Sequence, residues 1–168
     1  MSKEQPKLKT SIVRYPTVVD RFYKRYIIPG FEDICYLRHP SGVIVVTLSQ
    51  RKVASLPEGV TISSINWNTN SKKKGVDRSK IRVVGKGKKG ALRLAPETRL
   101  CIVTFSDGSE LTLRAGIIAM LIEANARLEK FPDLARTARE NQGYLCILMG
   151  ADRRYRPKEF NQDTLVIT

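Results

Sequence analysis

The sequence is short of what a metal or redox centre needs. It holds one histidine, His39, and three cysteines, Cys35, Cys101 and Cys146. The cysteines are far apart and form neither a zinc spacing nor a disulfide framework. Each stands between apolar neighbours, as in Ile34, Cys35, Tyr36 and in Leu100, Cys101, Ile102. They read as small buried hydrophobes in a reducing compartment. A cysteine nucleophile would need a histidine, and His39 leads into Pro40, Ser41 and Gly42, a turn. The common nucleophile, metal and phosphate-loop signatures are missing as well. The run Gly85, Lys86, Gly87, Lys88, Lys89, Gly90 lacks the Gly-Lys-Ser/Thr ending of a phosphate loop and reads as a lysine-rich turn. These absences disfavour an enzyme and leave no cofactor or small-molecule substrate to expect. Carboxylate or lysine chemistry stays open.

Long hydrophobic runs are also lacking. No apolar run approaches the ~20 residues of a membrane span. The longest, at positions 117–122, has the length of a strand. The opening residues have no apolar stretch of the kind a secretory signal carries. The 168 residues fit one domain with an ordinary core.

What the chain does have is positive charge, 30 Lys and Arg against 16 Asp and Glu, net +14. The charge is clustered. Residues 72–93 carry ten cations against Asp77 alone. Such clustering implies an acidic partner: nucleic acid, an anionic membrane surface or an acidic protein. A solvated loop that only aids solubility is the plainer alternative. Residues 72–93 contain no aromatic residue, so they offer bases no stacking platform. Nonspecific, salt-sensitive nucleic-acid binding stays open; sequence-specific recognition is not supported. Trp67 alternates with Ile65 in a strand-like run and reads as core. Lys72, Lys73 and Lys74 are a weak signal for nuclear entry.

Turn punctuation between β-type runs makes the chain mainly β. Residues 34–39, a Pro-Ser-Gly turn and residues 43–48 form one hairpin. Residues 100–105 and 110–113, joined through Asp107 and Gly108, form a second, because Asp-Gly supplies the positive φ of a tight turn. Further strands are expected at 61–67, 80–84 and 143–148. Phe22, Tyr23 and Tyr26 share a face of a short helix that begins near Asp20 and ends at Pro29 and Gly30, with the rings docked on the core. Residues 133–140 predict a second short helix. Residues 117–122 fit a helix or a buried strand equally on periodicity. The expected organisation is a disordered tail at 1–17, one domain at 18–150 and a basic tail at 151–168.

Glu123, Asn125, Leu128, then Pro132 and Leu134, then Gly143 and Tyr144, resemble the second half of a lipoyl-type domain of the glycine cleavage H-protein kind. That resemblance implies a barrel-sandwich hybrid of short strands with one or two short helices, and it makes residues 117–123 a strand. A fuller resemblance, over residues 18–149, is to the Abitram (Simiate) family of actin-binding transcription modulators. It rests on Val19, Asp20, Arg21, Phe22; Leu37 and His39; Val46, Thr47, Leu48; Val84, Gly85, Lys86 with Lys89, Gly90, Ala91; Leu100, Cys101; Ser106, Asp107, Gly108; Leu121, Glu123, Asn125; and Gly143, Tyr144. Ala119 departs from both families, which have glycine there.

The resemblance implies a non-enzymatic protein that binds monomeric and filamentous actin, regulates polymerisation and cell protrusions, and acts partly in the nucleus, where the family is linked to transcription and nuclear speckles. Lys72, Lys73, Lys74, Lys86, Lys88 and Lys89 are the expected contacts, on electrostatic grounds. Nonspecific nucleic-acid binding through the same lysines is the alternative. A degenerate lipoyl carrier is the third reading. Lipoyl domains bear their cofactor on a lysine at a hairpin tip, which falls here near Gly108; no lysine lies between Arg99 and Glu129.

Overall fold

The computed structural model describes residues 14–68, 77–85 and 89–150. Lys72, Lys73, Lys74, Lys86 and Lys88, residues 1–13 of the expected N-terminal tail and the expected tail 151–168 lie outside the described residues.

Among the described residues nine strands form two antiparallel sheets. They are β1 (Lys24–Tyr26), β2 (Ile34–Arg38), β3 (Val43–Leu48), β4 (Ile62–Asn66), β5 (Leu92–Leu94), β6 (Arg99–Phe105), β7 (Glu110–Arg114), β8 (Ala119–Ala124) and β9 (Cys146–Gly150). The larger sheet runs β1-β2-β3-β9-β8-β5 and the smaller β4-β6-β7. Three short helices join them: α1 (Val18–Phe22), α2 (Gln50–Ala54) and α3 (Leu134–Thr137). Alternate residues of both sheets meet in one apolar cluster that includes Ile44, Val46 and Leu48 from β3 and Leu100, Val103 and Phe105 from β6. Trp67 is buried in that cluster, as its strand-like setting implied.

Both expected hairpins form, β2–β3 and β6–β7. Gly108 takes φ +85° in the second turn, where Asp107 Oδ1 accepts from the Ser109 N–H at 2.9 Å. The ambiguous stretch resolves as β8, a strand between β9 and β5. Its hydrogen-bond partners, which periodicity cannot see, decide the matter. Ala119, at the start of β8, is fully buried and pairs with Leu94 and Gly150, so its methyl is part of the core.

Four local expectations need correction. The aromatic helix ends at Phe22: Tyr23 is extended, and Lys24–Tyr26 pair with β2 instead. Tyr26 is therefore buried through a strand, while Phe22 stays 54% exposed and does not dock on the core. Residues 80–84 form no strand. Arg78–Lys80 make a 3-10 turn capped by the Asp77 side chain, and beyond it only Val84 bridges to Lys89. The second helix stops at Thr137, because Ala138 turns out of the helical region and its carbonyl takes the Asn141 and Gly143 N–H groups. The last strand starts at Cys146 rather than Gly143, since the Gln142 and Tyr144 carbonyls are held by Asn125. Strands β1 and β5 and helix α2 have no counterpart among the expectations.

Candidate interaction surface

Of the six expected contact lysines, Lys89 alone falls among the described residues. It is exposed, and its backbone pairs with Val84 across the lysine-rich turn. The basic segment is not a uniform cationic face. Arg78 is 8% exposed, and its Nη1 donates to the Arg99 carbonyl and, at 3.0 Å, to the Leu100 carbonyl. Burial lowers its pKa. Arg78 thus works inside the fold, tying the 3-10 turn to β6. Lys80 Nζ lies 3.3 Å from Asp77 Oδ2. Arg82 and Arg93 remain exposed.

The residues behind the family resemblance turn out to brace one another. Asn125 is buried; its Nδ2 donates to the Gln142 and Tyr144 carbonyls, both at 2.8 Å, and its Oδ1 accepts from the Arg127 N–H at 3.1 Å. The Tyr144 hydroxyl donates to Glu123. Burial and that bond push its pKa up to about 12. Gly143 has no room for a side chain: a Cβ there would sit 1.8 Å from the Leu134 carbonyl oxygen. This cluster fastens the 137–145 loop to β8.

A second cationic surface escaped the sequence reading, because its residues come from separate segments. Helix α1 contributes no buried residue, yet charge pins it in place. The Thr17 hydroxyl accepts from the Asp20 N–H, and Asp20 Oδ2 accepts from the Thr17 N–H at 2.8 Å, a capping box. Arg25 of β1 donates to Asp20 at 2.7 Å and, through Nε and Nη2, to both oxygens of Glu140 at 2.7 and 2.6 Å. Glu140, with Asp20, raises the guanidinium pKa. The Thr17 and Arg25 bonds hold Asp20 at about 2, from an ordinary 3.8.

Two open grooves flank this pinned helix, and Tyr23 lines both. One, of about 440 Å³, is lined by Arg21, Lys24, Arg38 and His39 with Phe22 and Tyr26. The other, of about 770 Å³, is lined by the apolar Val18, Val19, Leu37, Val45 and Ala138 together with Thr137, Arg139, Glu140, Asn141 and Tyr144. The alternation of rings and cations at 21–26 was the available signal; the approach of 38–40 and 137–144 was not.

The thiols are structural in position. Cys35, Cys101 and Cys146 are all buried and unpaired. Burial pushes Cys35 to about 11 and Cys101 to about 12, and raises Cys146 well above its ordinary value. Among the described residues no group of three or more His, Cys, Asp or Glu gathers to hold a metal, and no helix is long and apolar enough to cross a membrane.

No family model matches the chain. An uncharacterised protein of Caenorhabditis elegans is 46% identical over 134 residues, 80% of this chain and 81% of that protein. Protein Abitram of Homo sapiens is 30% identical over 139 residues, covering 80% and 75%. Protein Abitram of Drosophila melanogaster is 35% identical over 136 residues, covering 80% and 60%. Among solved structures, a glycine cleavage system H protein from Mycobacterium marinum superposes with a TM-score of 0.52 at 12% identity, over 76% of this chain and 84% of that one. The fold is therefore that of the H-protein, a lipoyl-type barrel-sandwich hybrid.

Proposed function

The chain belongs to the Abitram family, and on that premise we propose that it is a non-enzymatic protein that binds monomeric and filamentous actin. In this reading it modulates polymerisation and cell protrusions, and it works in both nucleus and cytoplasm with a role tied to transcription. Family membership over four-fifths of the chain is the observation that carries the proposal. Charge supports it physically. Actin is acidic, and a protein of net +14 is drawn to an acidic surface from a distance set by the Debye length, about 8 Å in physiological salt. Lys72, Lys73, Lys74, Lys86, Lys88 and Lys89 crowd enough charge into one segment to speed encounter. Each exposed pair is worth roughly 0–1 kcal/mol, so the association is cumulative and salt-sensitive. A non-enzymatic role agrees with the thiols, which are buried and protonated at neutral pH.

Co-sedimentation with actin filaments tests this, comparing the native chain with one carrying glutamate at those six lysines. The native chain is expected to pellet and the reversed chain to stay largely in solution. A native chain that never pellets overturns the actin reading. Equal pelleting of both keeps actin and discards the lysine contacts.

The same charge density favours a second reading, nonspecific duplex binding through phosphate contacts. A duplex-DNA titration run beside the actin assay separates the two. Log affinity would fall with log salt by about 0.9 per phosphate neutralised.

A further inference from the structure

We propose that the two grooves flanking α1 form a seat for an acidic protein segment that carries an apolar side chain. This rests on the actin-binding reading, and it assigns that partner a gripping surface separate from the lysine segment. The apolar side chain would enter the groove of Val18, Val19, Leu37 and Val45, while carboxylates would meet Arg21, Lys24, Arg38 and His39 on the other side of Tyr23.

Four observations converge on it. The β1–β2 register sets Lys24 directly opposite Arg38, so two cations meet on one side of the groove. Among the described residues Asp20 is the one carboxylate lining the cationic groove, and it is already engaged by Thr17 and Arg25. His39 Nδ1 is occupied by Ser41, whose N–H lies at 3.1 Å and whose hydroxyl lies at 2.7 Å, so Nε2 is the ring nitrogen left to meet a carboxylate. Finally, Val18 and Phe22 stand one helical turn apart at 57% and 54% exposure, on a helix held by ion pairs rather than by its own burial. Such a rigid apolar ridge between a cationic and an apolar groove complements a segment with acids on one side and an aliphatic anchor on the other.

A nucleic-acid strand fits less well. Bases need open ring faces, but the Arg21 guanidinium lies 5.7 Å from the Phe22 ring centre and Tyr23 leans on His39 at 5.3 Å between centroids.

Surface plasmon resonance on immobilised filaments tests the seat. The native chain is compared with a double variant, Arg21→Glu with Lys24→Glu, and a milder one, Arg21→Gln with Lys24→Gln. Both positions are exposed, and circular dichroism checks that the fold persists. Charges that only steer change the on-rate, whereas a seat changes the off-rate. The glutamate pair is expected to raise the off-rate about tenfold or more and the glutamine pair by less. Unchanged off-rates, with native binding intact, overturn the seat and leave the actin reading standing. If the native chain ignores actin, that reading fails, and amide NMR titration with a peptide of alternating glutamate and leucine decides the seat by itself. Shifts gathered at residues 17–26, 38–40 and 137–144 support it. Absent or scattered shifts overturn it, as do shifts at those residues caused by oligothymidylate and not by the peptide.

Discussion

Arg25 shows how much one side chain can organise in this fold. It lies 19% exposed beside a 20% exposed Glu140, bound to it through two parallel hydrogen bonds, and it reaches Asp20 as well. Arg25→Ala would take away the forked partner of Glu140 and leave it only the looser Arg139 contact at 3.4 Å. A loss of about 2 kcal/mol in urea unfolding, at unchanged m-value, is expected. Arg25→Lys should recover only part of it, because an ammonium cannot make the forked contact. The cysteines give a second expectation at this scale. Iodoacetamide at pH 8 should leave the folded chain unlabelled by intact mass, while denaturant should expose all three thiols. Labelling of the folded chain would contradict their burial. Their apolar neighbours made that burial legible in the sequence. Arg78 was not legible: it sits in a run of cations, and only the fold shows it donating to the backbone of β6.

At the scale of elements, the readable features were those with local causes. Turn chemistry fixed the β2–β3 and β6–β7 hairpins, and Trp67 followed its alternating strand into the core. β1 and β5 are three residues each and include charged positions, so no local pattern marks them; their sheet partners create them. The same dependence on partners ended the aromatic helix early and removed the strand expected at 80–84. Gly143 illustrates a requirement set by a neighbouring element. Gly143→Ala drives a methyl into the Leu134 carbonyl, and a loss of about 3 kcal/mol or more is expected, read by thermal or urea unfolding. A neutral result would mean that the 137–145 loop can move away from α3.

Helix α1 is the element most exposed to pH. The Asp20 pKa is about 2 when folded and near 3.8 otherwise. Its bonds to Thr17 and Arg25 therefore stabilise the helix fully above about pH 4, and that contribution fades as pH falls toward 2. Carboxyl NMR should place the Asp20 midpoint near 2, with the Thr17 amide moving in step; a midpoint near 3.8 would deny the capping box.

Across the whole molecule, the sequence disclosed class and kinship but not assembly. Lipoyl-type architecture was implied by the family resemblance that Glu123, Asn125, Gly143 and Tyr144 carry, and the fold shows what these residues do: Asn125 and the Tyr144 hydroxyl tie the following loop to β8. That β9 slots between β3 and β8 was not readable, since pairing of distant strands leaves no local mark. The cationic groove was hidden for the same reason, being assembled from residues 20–26 and 38–40. Charge counted along the chain pointed to 72–93, whereas charge counted in space adds a second patch beside α1.

Recognition of an acidic filament by this basic fold is decided by co-sedimentation with filamentous actin across a salt series. Strong pelleting is expected at roughly 50 mM salt, declining steadily through roughly 150 mM as screening shortens the reach of each charge. A chain that stays in the supernatant at the lowest salt would contradict the claim outright.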